Sequence, residues 1–293
     1  MDKMKPRIAL VIGCGGLKCA AAIGVLQVLE AEALFPDMVV GCSGGAIFGA
    51  AIAMGFSSDR MIEALAQIWT RDTTQKLDFP SLAKIALPKQ IGFDDQIGIL
   101  DDRGLTNGIA KAFGAKTTFA DTVIPFHCLA TDFHSGEQVV LSKGNLARAV
   151  RASAGIPILF KPVECEGRLL IDGGLSDPLP VDVAIREGAD AIIAVGFETP
   201  LSHSFSSPIN FASQMFNILV NQLLYRKFAF YNLAYHSEII IIVPQFESDI
   251  QLNDVDSIPF VIEQGRKETL KHLAYLRQML ASKDARDSMR SSS

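Results

Sequence analysis

The chain has 293 residues, enough to bury a full core as one large α/β domain or as one domain with a small insertion. Hydrophobic residues make up 49% of it, too many for a disordered chain, and a formal charge of -5 without a basic stripe excludes nucleic acid as a partner. Five cysteines, an odd number without paired spacing, exclude a disulfide framework and fit a reducing, cytoplasmic setting.

The basic start, Met1 to Arg7, precedes the apolar run Ile8 to Ile12, which stops at Gly13. That run is shorter than a signal-peptide core and far shorter than a membrane span, so it reads as a first buried strand. No other window is apolar and uncharged for about eighteen residues, which predicts a soluble protein. The glycine-rich stretch Gly13-Cys14-Gly15-Gly16-Leu17-Lys18-Cys19 follows, then a helix from Ala20 to Ala33 whose apolar face is mostly Ile23, Leu26, Val28 and Leu29. Such a loop between strand and helix is an anion site, because unpaired N–H groups and the helix dipole both point at it. A dinucleotide fingerprint would need glycine where Lys18 stands, and a Walker loop would need G-K-[ST]. What remains is an oxyanion-type loop, in which Gly15 and Gly16 offer unhindered amides and Lys18 adds positive charge.

Met38-Val39-Val40 predicts a second strand, and Gly41-Cys42-Ser43-Gly44-Gly45 turns from it into a small-residue helix ending near Met54. Strand, sharp turn and helix are the context of a G-x-S-x-G nucleophile elbow, with Ser43 at the positive end of a helix dipole. Taken alone, the five residues also fit a plain turn between buried elements. Ser58 to Thr70 predicts a helix capped by Ser58, and residues 71–104 an irregular flap or surface excursion. A helix from Gly104 to Phe113 comes next, then a strand from Ile124 to Asp132 with a hairpin partner, Gln138 to Leu141. A helix opens near Asn145 and stops at Gly155. Beyond the turn Glu166-Gly167, the strand Arg168 to Ile171 ends in Asp172-Gly173-Gly174. A helix from Val181 to Glu187 leads to Ala191 to Phe197, a central parallel strand. After a serine-rich loop, Leu201 to Ser207, the long helix Phe211 to Leu233 reads as a core helix rather than a membrane-surface one, with Phe216, Leu219, Leu223 and Leu224 on one face. A strand from Glu238 to Val243 and a helix from Phe260 to Met279 close the fold. The whole reads as one domain over 1–293, with a motif-bearing core at 7–200, C-terminal helices and a strand at 201–283, and a disordered tail at 284–293.

A serine hydroxyl needs a base to accept its proton. The histidines are His127, His134, His203, His236 and His272, and none has the small-residue, strand-end setting of an α/β-hydrolase histidine. His203 and His236 do follow Asp172 in the order of a triad, but Ser43 comes after only one strand and one helix, earlier than that fold places its nucleophile. Asp172 is the alternative base. It ends an apolar strand, and the glycines after it allow close approach to the elbow. The competing reading is a plain turn in which Asp172 caps the next element.

These stretches resemble, in order, the oxyanion loop, the G-x-S-x-G elbow and the D-G-[GA] box of the patatin-like phospholipases. Ser153-Ala154-Gly155-Ile156-Pro157, with Phe160 and Pro162-Val163, resembles a fourth segment of that family. The resemblance covers about residues 7–200. It implies a three-layer α/β/α sandwich with a mostly parallel sheet, similar to the bacterial, single-domain, cytosolic branch. It also implies a Ser43–Asp172 dyad without histidine, an oxyanion hole built from Gly15, Gly16, Leu17 and Lys18, and supporting glycines at Gly41, Gly45, Gly173 and Gly174. The reaction so implied is hydrolysis of lipid acyl esters without metal or cofactor, by a cytoplasmic protein in transient contact with the membrane surface. Acyl transfer from the same acyl-serine, or a non-enzymatic platform for acyl chains, are the alternatives. Two departures stand out: Cys14 and Cys19 occupy positions that are glycine in the family loop. With Cys42 they fall in the two loops expected to converge, where modification of a thiol would block the site or where cysteine is simply a small buried residue.

Overall fold

A computed structural model describes residues 7–201, 203, 208–234, 238–246 and 250–290. The elements run β1 (Ile8–Ile12), α1 (Ala21–Ala31), β2 (Met38–Cys42), α2 (Gly44–Ala53), α3 (Ser58–Ile68), α4 (Arg71–Thr74), α5 (Phe79–Ala86), α6 (Pro88–Ile91) and α7 (Arg103–Phe113). They continue β3 (Phe126–Asp132), β4 (Gln138–Leu141), α8 (Leu146–Ser153), β5 (Val163–Cys165), β6 (Arg168–Asp172), α9 (Val181–Arg186), β7 (Ala191–Val195), α10 (Pro208–Ala234), β8 (Glu238–Ile242) and α11 (Ile258–Arg290).

The sheet has the order β5-β6-β3-β2-β1-β7-β8, with β4 beside β3. Strands β3, β2, β1, β7 and β8 are parallel, and β4, β5 and β6 are each joined by antiparallel pairing. Every residue of β1, β2, β3 and β7 is buried, as expected for strands covered on both faces. Alternate side chains of β1 feed two separate cores. Ile8, Leu10 and Ile12 pack with α1, α2, α7, α8 and α11, whereas Ala9 and Val11 pack with α9 and α10. This is the expected three-layer sandwich.

Strand β3 makes the arrangement that matters most. Cys128 and Leu129 pair with β2 and β4 at once, so those strands occupy opposite edges of β3. Ala130 pairs with both Val139 of β4 and Asp172 of β6, so β6 lies on the edge that β2 has just vacated. Cys42 faces Leu129 and Asp172 faces Ala130, the next residue along. The end of β2 and the end of β6 therefore meet head to head.

Several elements differ from the sequence reading. Gly16–Ala20 is a 3-10 turn before α1, because Gly16 takes a left-handed φ of 56° that delays the α-helix. The α3 cap is Ser57, whose hydroxyl accepts from the Arg60 amide, and not Ser58, which is already helical. The irregular 71–104 segment holds three short helices, and Ile85, Leu87, Ile91 and Phe93 stand exposed on it. Helix α10 buries Val220 and Leu224 but exposes Leu219, Phe211 and Met215, so only one side of it is core. Helix α11 runs beyond Met279 to Arg290. The serine-rich loop falls mostly outside the described residues, as do His236 and residues 291–293. No described helix is long and apolar enough to cross a membrane.

Helix α11 crosses α1 where both lack side chains. A Cβ at Gly24 would strike the Ile262 carbonyl, and one at Gly265 would strike the Ala21 backbone. Replacing Gly265 with valine is expected to lower stability by about 1–3 kcal/mol or more, because backbone cannot yield as side chains do. Thermal and urea unfolding of the variant measure it, and an unchanged midpoint would disprove the close crossing.

Candidate active site

The turn from β2 into α2 holds Ser43 at φ 57° and ψ -126°, a conformation that a residue with a Cβ adopts only under constraint. Such strain costs about 1–3 kcal/mol and is maintained by the surrounding packing. The constraint is visible in the two residues that follow. A Cβ at Gly44 would run into the Gly16 carbonyl, and one at Gly45 into the Ile12 and Gly13 carbonyls. These two glycines thus let the first turn of α2 rest on the end of β1 and on the glycine-rich loop. The Ser43 amide donates to Ser153 Oγ at 2.8 Å, tying the turn to the end of α8. Gly41 lies in β2 just ahead of the turn.

The head-to-head meeting of β2 and β6 brings Ser43 and Asp172 together across 129 residues of chain. Ser43 Oγ donates to Asp172 Oδ2 at 2.6 Å. Asp172 is completely buried and Ser43 is 3% exposed. The other carboxylate oxygen, Oδ1, accepts from the Gly174 amide at 2.8 Å, the capping bond of the 3-10 turn Gly173–Leu175. The carboxylate thus both accepts the Ser43 hydroxyl and caps the next turn, one on each oxygen. The Asp172 backbone is fixed as well, its amide on the Gly155 carbonyl at 3.0 Å and its carbonyl accepting from the Thr131 hydroxyl at 2.9 Å. Burial raises the Asp172 carboxyl to about 7, although the Ser43 hydroxyl and the Gly174 amide both favour its charged form.

The glycine-rich loop is anchored at its start by Gly13 N–H to the Val195 carbonyl, 2.9 Å, and Cys14 N–H to the Pro178 carbonyl, 2.8 Å. The amides of Gly15, Gly16 and Leu17 have no acceptor among the described residues. Lys18 differs from the expectation. Its amide closes the turn onto the Gly15 carbonyl at 3.1 Å, and its buried ammonium donates to Thr199 Oγ1 at 2.6 Å, on the loop after β7. The lysine charge therefore holds the loop in place rather than being presented to its mouth. The two departures from glycine are tolerated for a simple reason: neither Cys14 nor Cys19 has a positive φ, and Cys19 lies inside the 3-10 turn with its thiol on the Gly13 carbonyl at 3.3 Å. Cys14, Cys19 and Cys42 are all buried, and burial holds the Cys19 and Cys42 thiols well above the ordinary range. For Cys19 and Cys42 that is the setting of core cysteine with little thiolate character.

None of the described histidines contacts Ser43. His127 pairs with Val40 in the strand ladder and lies 3.8 Å from Glu187, while His134 is in the β3–β4 turn and His272 beside Glu268 on α11. Among the described residues no group of three or more His, Cys, Asp or Glu side chains could hold a metal ion. Sequence reasoning missed Ser153, Thr199 and Pro178 as supports of the site. Only the first lay in a stretch that motif matching picked out.

Residues 10–185 match the family profile described as patatin-like phospholipase. An uncharacterized NTE family protein of Mycobacterium tuberculosis is 33% identical over 190 residues, 65% of this chain and 49% of that protein. The rat patatin-like phospholipase domain-containing protein 7 is 31% identical over 191 residues, 64% of this chain but 13% of that protein. The matched region thus spans about half the length of the mycobacterial relative and a small part of the rat one. Among solved structures, VipD from Legionella pneumophila superposes with a TM-score of 0.52 at 14% identity, covering 95% of this chain and 67% of that one. Human GIVD cytosolic phospholipase A2, solved with methyl gamma-linolenyl fluorophosphonate, gives 0.51 at 11% identity over 99% of this chain and 60% of that one. At such identities the superpositions establish the fold, and the profile match over most of the sheet establishes the kinship: the chain belongs to the patatin-like phospholipase family.

Proposed function

We propose that the protein hydrolyses carboxylic esters of lipids through Ser43 as nucleophile and Asp172 as the base that serves it. The observation that carries the reading is the 2.6 Å bond between the Ser43 hydroxyl and a buried carboxylate, with no histidine between them among the described residues. In acylation, Ser43 Oγ attacks the ester carbonyl carbon while its proton passes to Asp172 Oδ2. The bond to the leaving alcohol then breaks, and Asp172 returns the proton to that alcohol. In deacylation, water attacks the acyl-serine and gives a proton to Asp172, which hands it to Ser43 Oγ as the fatty acid departs. The oxyanion formed in each step would be met by the unpaired amides of Gly15, Gly16 and Leu17. Burial raises Asp172 to about 7, which suits this traffic, since an ordinary carboxylate would be too weak a base.

Lipid access has support in the 71–104 segment. Phe79, Ile85, Leu87, Ile91 and Phe93 are exposed there, and the segment is bonded through the Ile99 and Leu100 amides to the carbonyls of Ile158 and Leu159. Transient contact with a lipid surface through these side chains is part of the proposal. Acyl transfer would use the same steps, with an alcohol in place of water.

A lipid-class panel tests the chemistry. The wild type is expected to release fatty acid from at least one glycerophospholipid or lysophospholipid. Ser43→Ala should abolish release, and Asp172→Asn should lower it by about 10²–10⁴-fold. Turnover surviving in Ser43→Ala would refute the assignment. Adding a primary alcohol to the same assay and looking for its ester separates transfer from hydrolysis.

The pH dependence has a definite sign. Asp172 accepts a proton only when ionised, so kcat/KM should climb as pH rises and be half-maximal near pH 7, since the carboxyl is raised to about 7. A profile already flat from about pH 5 upward would mean that the base is a carboxylate with an ordinary pKa. Separately, Ile91→Ser with Phe93→Ser should weaken cosedimentation with phosphatidylcholine vesicles while leaving hydrolysis of a water-soluble ester intact. Equal cosedimentation would remove that surface from the account.

A further inference from the structure

Five side chains from four parts of the fold close a polar ring next to the Asp172 turn. Lys227 Nζ of α10 donates to Asp177 Oδ2 at 2.6 Å and to Asp182 Oδ1 at 3.3 Å. Arg186 donates to Asp182 Oδ2 at 2.8 Å and to Gln138 Oε1 at 3.3 Å, and Gln138 Nε2 completes the circuit onto Asp177 Oδ2 at 3.3 Å. Asp177 is 2% exposed, and its position is the hinge of the arrangement. Its amide donates to the Gly173 carbonyl at 2.9 Å, inside the turn that aims Asp172. Its Oδ1 accepts from the Leu179 amide at 3.1 Å, which orients the intervening Pro178 carbonyl, and that carbonyl takes the Cys14 amide of the glycine-rich loop.

We infer that Lys227 is a positioning residue: by clamping Asp177 it fixes the Asp172 turn and the glycine-rich loop relative to each other. The inference rests on the Ser43–Asp172 reading, and it extends the working site to α10, beyond residues 10–185 that match the family. Without the ammonium, Asp177 is a buried carboxylate whose donors named above, the Leu179 amide and Gln138 Nε2, are both neutral. Burial, with Asp182 beside it, already raises Asp177 to about 7 against the pull of Lys227. The turn would then loosen and the Gly174 amide would hold Asp172 Oδ1 less well. Because that bond favours the charged form, losing it raises the pH at which Asp172 ionises.

The test uses hydrolysis of a chromogenic short-chain ester by wild type, Lys227→Arg, Lys227→Met, Lys227→Met/Asp177→Asn and Ser43→Ala, with thermal unfolding of each. The double variant leaves no unpaired buried charge at position 177, and the carboxamide oxygen placed there still accepts from the Leu179 amide. It therefore decides the matter if Lys227→Met fails to fold. In it position 177 no longer titrates, so a shift of the ascending limb of the pH profile cannot come from ionisation at that position. The expected result is a kcat about 10- to 100-fold below wild type with KM within about twofold, an ascending limb moved to higher pH, and substantial rescue in Lys227→Arg. A folded variant lacking Lys227 that keeps the wild-type kcat and limb overturns the inference while leaving the dyad standing. Activity surviving in Ser43→Ala would refute the dyad and this inference with it.

Discussion

One edge of β3 carries two strands in succession, and the site depends on it. Strand β2 pairs with that edge as far as Leu129, and β6 takes it over from Ala130, arriving from the opposite direction. Two strand ends 129 residues apart in the chain are forced to abut, and the last residue of one strand and the first beyond the other touch through their side chains. No separate loop has to be ordered to bring the hydroxyl to the carboxylate. The backbone ladders do it, and their hydrogen-bond pattern fixes the register of each strand against the next.

That rigidity offsets real costs. Ser43 stands in a left-handed conformation, and Asp172 is a carboxyl removed entirely from water. Its folded-state pKa is raised above the ordinary value, so its contribution to stability is complete below the unfolded pKa and is lost as pH rises through about 7. The buried carboxyl thus costs the fold most in the pH range where it is ionised. Compensation comes from neighbours with no reactive part: Ser153 on the Ser43 amide, Thr131 and Gly155 on the Asp172 backbone, and apolar residues packed against both faces of β1.

Much of this was legible in the residues themselves. The short apolar runs marked the buried strands because parallel strands covered on both faces have no polar alternation to confuse the signal. The elbow and the Asp172-Gly173-Gly174 turn were legible because glycine is demanded where backbones nearly touch. What stayed hidden depends on distant pairing. Lys18 looked like a charge for the loop mouth, yet it turns to Thr199, 181 residues later. Cys19 is harmless in its loop because the positive φ falls at Gly16 instead. The partners of Asp177, on β4, α9 and α10, have no spacing pattern that a linear reading could detect. Whether α10 is core or surface was likewise undecidable from its composition, since its apolar residues are divided between a buried and an exposed side.

The most direct test of the shared proton between Ser43 and Asp172 is covalent labelling by an alkyl fluorophosphonate, followed by peptide mapping at a series of pH values. A proton shared by the two side chains requires a single adduct on Ser43, formed with loss of fluoride, at a rate that titrates near pH 7 with Asp172, whose carboxyl is raised to about 7. An adduct on any other residue, or a Ser43 adduct whose rate ignores the replacement of Asp172 by asparagine, would contradict it.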